Sequence, residues 1–316
     1  NRKKLDSPHG VVIGNTGSCK SMFIKMTEIS QVLLSSDDDI QIIDPQNETQ
    51  FICALYGGKF LDMTPRGDIH VNPMEIPLSV FESKSDKVRQ TFISSVTGWA
   101  NSFTEAVMKN MAYTAEHKAF VTDAVANVYD RTFSAKKLVQ PTIKDVRNEL
   151  IRMEEESEYD VDKRIIHMMT NSLKPFTEGI YDMFAYPSDI DISRERLVSF
   201  GLNNIQDDVW QPVMTTIMFF LTNRIEFNQE LQRATRFIVD ECQYVTKSIS
   251  TGDILLKAVL TYRKFGGICT MAFQNLARVL MSEDLRDMLA NCGYKMFFKQ
   301  EGSDAIALSK IQNLTD

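Results

Sequence analysis

Gly14 to Ser21 reads GNTGSCKS, and the residue types in it suit the binding of a polyphosphate. Lys20 can set an ammonium against β- and γ-phosphates, and the Ser21 hydroxyl can join the shell of a Mg²⁺ ion. Gly14 and Gly17 let the backbone turn back, so that Asn15, Thr16 and Ser18 present amides toward an anion. The phosphate-loop pattern G-x-x-x-x-G-K-[ST] asks for glycine at its sixth place, where this chain has Cys19. A Cβ and a sulfur at that place narrow the cradle. Nucleotide is therefore expected to bind more weakly than to a Cys19→Gly chain.

Far downstream, Phe237-Ile238-Val239-Asp240-Glu241 is an apolar run ending in two carboxylates. In nucleotide hydrolysis one carboxylate holds the metal and the next activates water, which assigns Asp240 to Mg²⁺ and Glu241 to the general base. The plain alternative is a strand leaving the core on two surface acids. Gln274 ends the next apolar run, in AFQN, where an amide can sense a γ-phosphate. Arg263 and Lys264 precede that run, and Arg263 is the better candidate for an arginine finger reaching a neighbouring subunit's nucleotide. The histidines, His9, His70, His117 and His167, are widely separated and give no zinc-binding pair.

These residues need a scaffold that brings them together. His9 to Gly14 and Asp39 to Asp44 read as strands, with a helix over Ser21 to Leu34 whose broad apolar face carries Met22, Phe23, Met26, Ile29, Val32 and Leu33. Lys59 to Met63 and Ile69 to Val71 read as short strands about a Pro-Arg-Gly-Asp turn. Strand, helix, strand at this spacing predicts βαβ units and a parallel sheet. From Phe81 onward the pattern becomes helical: Asp86 to Met108, His117 to Asp130, Thr142 to Met153 and Lys163 to Leu173. Glu154 to Asp162 reads as a solvated acidic loop. The α/β rhythm resumes with strands over Leu197 to Leu202, Phe237 to Asp240, Gly267 to Phe273 and Tyr294 to Lys299, and helices over Val209 to Phe227 and Gly252 to Tyr262. The expectation is an α/β core over 1–80 and 190–316, with an all-α insertion over 81–189.

Composition bounds the reading. The 316 residues are 43% hydrophobic and 24% charged, the make-up of an ordinary folded protein. No apolar run approaches the length of a membrane span. A net charge of −7 disfavours a general nucleic-acid coat. Five scattered cysteines without a CxxC pair point to a reducing compartment, with Cys242, Cys269 and Cys292 as core filler. The chain opens Asn-Arg-Lys-Lys with no initiator Met, which suggests a fragment of a longer protein.

The segments IGNTGSCKS, IIDPQNE, HVNPMEI, FIVDEC, TYRKFGGICTMAFQN and NCGYKMFFKQ, in that order, resemble the ATPase domain of the conjugative-transfer ATPases of type IV secretion systems. These belong to the FtsK–HerA branch of RecA-like P-loop motors, and the resemblance runs from about His9 to Lys299. It implies a RecA-like P-loop NTPase core of mostly parallel sheet with an inserted all-α domain. It implies ATP hydrolysis with Mg²⁺, assembly into hexamers, and work with other secretion-system subunits in pilus biogenesis and export. A cytoplasmic location, peripheral at the inner face of the cell membrane in the full-length protein, is implied with it. By the same resemblance Gly14, Gly17, Lys20 and Ser21 bind phosphate and Mg²⁺, Asp240 and Glu241 bind metal and activate water, Gln274 senses the γ-phosphate and Arg263 is the finger. Cys19 is the departure. Two other readings share these residues: a DNA-translocating coupling protein of the same branch, which the acidic net charge disfavours, and a weakly hydrolysing P-loop scaffold.

Overall fold

The computed structural model describes residues 5–64, 69–109, 111–203, 205–245, 255–256, 259–274, 279, 283–300, 302 and 306. Seven short strands form one sheet: β1 (Gly10–Ile13), β2 (Asp39–Asp44), β3 (Lys59–Asp62), β4 (Leu197–Gly201), β5 (Thr235–Val239), β6 (Gly267–Phe273) and β7 (Tyr294–Phe297). Their order is β3-β4-β2-β5-β6-β1-β7, and every pairing is parallel. β1, β2, β4 and β6 are buried along their whole length. Burial on both faces is why they read as near-continuous apolar runs instead of alternating ones. Because all seven strands point the same way, the tips of β1, β2, β5 and β6 emerge at one edge. Two strand spacings, roughly 10 Å, separate β1 from β5 across β6.

The first helix runs Lys20–Phe23, passes into a π-helical stretch over Ile24–Ser30 and returns to α-helix over Gln31–Ser35. That stretch corrects the expected apolar face. Hydrogen bonds between residues i and i+5 shift the facing of side chains past Phe23 away from a 3.6-residue period, and Met22 and Met26 stand 59% and 54% exposed while Ile24, Ile29 and Val32 are buried. Glu28 is also buried and accepts a hydrogen bond from Thr270 Oγ1 at 3.2 Å. Ile29 and Val32 join Val12, Ile40, Ile42, Ile52, Leu197, Ile238 and Ala272 in one cluster against the sheet.

A helix not anticipated from the sequence spans Gln50–Tyr56. Its start is set by Asp44 at the β2 tip, whose carboxylate accepts from the Thr49 N–H at 2.7 Å and the Thr49 hydroxyl at 2.6 Å. The expected strand over Ile69–Val71 is not one. Val71 N–H donates to the Met183 carbonyl within the 3₁₀ turn Asp182–Phe184, and the His70 carbonyl accepts from Asp189 N–H, isolated bonds that build no ladder.

The chain divides into two compact units, residues 1–62, 192–203 and 221–316 in one, and 63–191 and 204–220 in the other. The first holds the sheet. The second holds the helices Asp86–Met108, Ala115–Ser134, Ile143–Glu156 and Asp160–Thr177. Thr142 caps the helix Ile143–Glu156, and the Asp145 carboxylate accepts from the Thr142 N–H at 2.8 Å. The acidic stretch is shorter as a loop than expected, because Glu154–Glu156 continue one helix and Asp160 starts the next. Phe103, fully buried, packs edge-on against Phe176 and Phe184. Among the described residues no helix is long and apolar enough to cross a membrane.

Candidate functional site

The loop from Gly14 to Cys19 joins β1 to the first helix and is braced from both sides. Gly14 N–H donates to the Phe273 carbonyl at the β6 tip, and Asn15 N–H to the Lys299 carbonyl. Ser18 N–H closes a turn onto the Asn15 carbonyl at 3.1 Å. Gly14 is required: a Cβ there would lie 2.5 Å from Ser18 Oγ and 2.6 Å from Phe298 Cβ. Gly17 has φ +77°, a conformation that suits glycine.

Cys19 stands at the N-terminus of the first helix with φ 67° and ψ 17°. The glycine of the sixth place is therefore replaced where the backbone is left-handed. A residue with a Cβ pays roughly 1–2 kcal/mol to hold that conformation. The Cys19 thiol is exposed.

Lys20 and Ser21 open the helix, and the Lys20 side chain is buried. Its ammonium donates to Glu241 Oε1 at 2.9 Å and lies 3.8 Å from Asp240 Oδ1. The two acids follow β5 directly. Asp240 N–H donates to the Ile43 carbonyl, which anchors the turn to the β2 tip. Asp240 Oδ1 accepts the Glu241 N–H at 2.9 Å, and Glu241 takes a left-handed φ of 45°. Burial pushes the Asp240 carboxyl above its ordinary range; the Lys20 ammonium opposes this, while Glu241 and Asp44 add to it. The buried Asp240 and Glu241 carboxyl groups share the one Lys20 ammonium, and the buried Asp44 lies near enough for its charge to act on Asp240.

Sequence reasoning missed three residues here. Gln243 lies two positions past Glu241; its Nε2 donates to Glu241 Oε2, and its Oε1 accepts the Gln274 N–H at 3.4 Å. Phe298 packs on Phe23 at 5.5 Å between ring centroids and limits the space at Gly14. Gln300 Nε2 donates to the Ile13 carbonyl at 3.1 Å, which fixes the β1 tip. The run YKMFFKQ gave a signal for a strand but none for these roles.

Gln274 thus lies beside the acids, whereas Arg263 does not. Arg263 precedes β6, and the seven residues of that strand separate it from Gln274. At about 3.3 Å per residue this is roughly 20–25 Å, at the opposite edge of the sheet. Glu48 pairs with Lys25 on the surface at 3.1 Å. Cys242, Cys269 and Cys292 are buried as expected. Part of the helix read over Gly252 to Tyr262 lies outside the described residues.

The residues present fit a magnesium-bound nucleotide. Ser18 Oγ is buried in the loop with no hydrogen-bond partner, a polar atom ready for a phosphate oxygen. Buried acids in excess over one lysine call for a further cation, and hard oxygen ligands of this kind suit Mg²⁺.

The whole chain is similar to known proteins. The family model described as the TraG P-loop domain matches residues 3–315. In structure the chain is similar to VirB4 of Thermoanaerobacter pseudethanolicus, with TM-score 0.71 and 19% identity over 100% of this chain and 85% of that one. It is also similar to the plasmid coupling protein TrwB in complex with a non-hydrolysable ATP analogue, with TM-score 0.53 and 13% identity over 90% of this chain and 68% of that one. No curated protein sequence matches it significantly.

Proposed function

Because the chain belongs to the TraG P-loop domain family of P-loop ATPases in conjugation and type IV secretion, we propose a division of labour among its site residues in ATP hydrolysis. Lys20 binds the β- and γ-phosphates, with the amides of Gly14 to Cys19 around them. Ser21 and Asp240 hold Mg²⁺, which when bound neutralises charge on the phosphate oxygens. Glu241 takes a proton from the attacking water. Gln274 responds to the γ-phosphate from the β6 tip.

The observation that carries this reading is the meeting of Lys20 with both acids, Glu241 at 2.9 Å and Asp240 at 3.8 Å. Residues more than two hundred positions apart in sequence share one buried point. Before substrate arrives, the lysine rests on the two acids that it would later face across a triphosphate. A polyphosphate draws the ammonium away and frees Glu241 for water.

Around this site we assign the sheet-bearing unit as the nucleotide-binding core and the helical unit as an all-α insertion. Arg263 serves the nucleotide of a neighbouring copy, since its place at the far edge of the sheet keeps it from its own. Such a role supports a closed ring, taken here as a hexamer working with other secretion subunits at the inner face of the membrane. The net charge of −7 supports an export or assembly ATPase over a DNA pump.

The test compares ATP hydrolysis by the parent chain and by Glu241→Gln in the presence of Mg²⁺. The expected result is a fall of about 10²–10⁴-fold in kcat with nucleotide affinity retained. Equal rates would remove Glu241 from the chemistry.

A further inference from the structure

Both oxygens of the Glu241 carboxylate are engaged. Oε1 accepts from the Lys20 ammonium, and Oε2 accepts from the Gln243 amide. The same Gln243 side chain turns its carbonyl oxygen to the Gln274 N–H at the end of β6. Glu241 holds a φ of 45°, a conformation that non-glycine residues keep only where neighbouring groups support it.

We infer that Gln243 is a positioning residue for ATP hydrolysis: it aims the Glu241 carboxylate and ties that aim to the tip of β6. Lys20 is the contact that a polyphosphate would remove. Gln243 is the contact that stays, on an oxygen the phosphates do not compete for. When Lys20 leaves, Gln243 keeps the carboxylate from swinging freely and leaves Oε1 open toward water. Its second hydrogen bond links it to Gln274, so that a shift of the β6 tip is felt at the base. An apolar residue of similar length, as in Gln243→Met, fills the space but makes neither hydrogen bond.

The inference rests on the function proposed above, and the experiment separates the two. Steady-state ATP hydrolysis, affinity for a fluorescent ADP analogue, and hydrogen exchange at the Gln274 amide are compared for the parent chain, Gln243→Met and Gln243→Ala. Misplacing a reacting group by about 1 Å can cost about 10²-fold. The expected result is therefore a 10- to 100-fold fall in kcat in either variant, with KM and analogue affinity within about twofold of the parent, since Gln243 touches no phosphate. Exchange at the Gln274 amide in the nucleotide-free protein should quicken in both variants. A structural role alone would raise KM and weaken the analogue along with kcat, which would overturn the inference. So would a kcat within twofold of the parent. If the parent neither binds nor hydrolyses ATP, the proposed function fails and takes this inference with it. If the parent hydrolyses and the variants match it, only this inference fails. Should Gln243→Met fold poorly, Gln243→Ala and the exchange rates in the parent still decide: slow exchange at Gln274 supports the bond, and unprotected exchange contradicts it.

Discussion

Cys19 holds a left-handed backbone at the place where a phosphate loop uses glycine. Replacing it removes a steric cost of roughly 1–2 kcal/mol, offset in part by the added freedom of glycine in the unfolded chain. Cys19→Gly should therefore raise stability by about 1 kcal/mol in denaturant unfolding and tighten nucleotide binding. Equal affinity in the two chains would show that the sulfur does not crowd the cradle. At Asp240 the balance runs the other way. Its folded-state carboxyl titrates above the ordinary range because burial disfavours its charge. The ionised group therefore costs stability, and that cost sets in as pH rises through the shifted range. In metal-free protein at neutral pH, Asp240→Asn should raise the melting temperature by a few degrees, even though it removes a ligand for Mg²⁺. A lower melting temperature would mean that the Lys20 attraction outweighs the desolvation.

Among the elements, the helices of the second unit are tied together in part by the buried Glu149 carboxylate. Glu149 accepts from Arg152 and from Asn127 Nδ2 at 2.8 Å, and it pairs with Arg131 at 2.7 Å. Hydrogen bonding from Arg152 leads the effects that hold its pKa down, from 4.5 to about 2. A lowered carboxyl pKa gives stability that is present above 4.5 and is lost as pH falls toward 2. Thermal unfolding followed across that window should show the loss in the parent chain and a flatter response in Glu149→Gln. An equal acid response would place the sensitivity elsewhere.

Much of this scale was legible from residue patterns. Asp86–Met108 and Gly267–Phe273 have the expected bounds, because a long amphipathic run and a doubly buried apolar run are distinct signals. The Gln50–Tyr56 helix was not legible, since Phe51 and Leu55 point to solvent and its cap comes from Asp44 on another element. The π-helical stretch was hidden as well, because a period of 3.6 residues was assumed through Met22 and Met26. Within the site, the phosphate loop and the two acids carry their own motifs. Gln243, Phe298 and Gln300 act only through the neighbours that the fold gives them, and one sequence holds no trace of those.

For the molecule as a whole, the all-parallel sheet turns separate motifs into one site. Parallel strands bring every C-terminal tip to one edge, so the loop after β1 and the acids after β5 meet across β6. The same geometry sends Arg263 to the opposite edge, so in the function proposed above it serves the nucleotide of a second copy. The rate per chain should then rise with protein concentration, and Arg263→Ala should remove that rise while leaving nucleotide affinity unchanged. A rate per chain that does not vary with concentration would remove the finger from this arginine. The central claim is that Lys20, Asp240 and Glu241 form one polyphosphate site, and the melting temperature with and without Mg²⁺–ATP tests it most directly. Nucleotide at 100 times its dissociation constant should stabilise the parent chain by about 2.7 kcal/mol, and Lys20→Ala should lose that gain. A parent chain whose melting temperature does not move, or a Lys20→Ala chain that gains as much, would contradict the account.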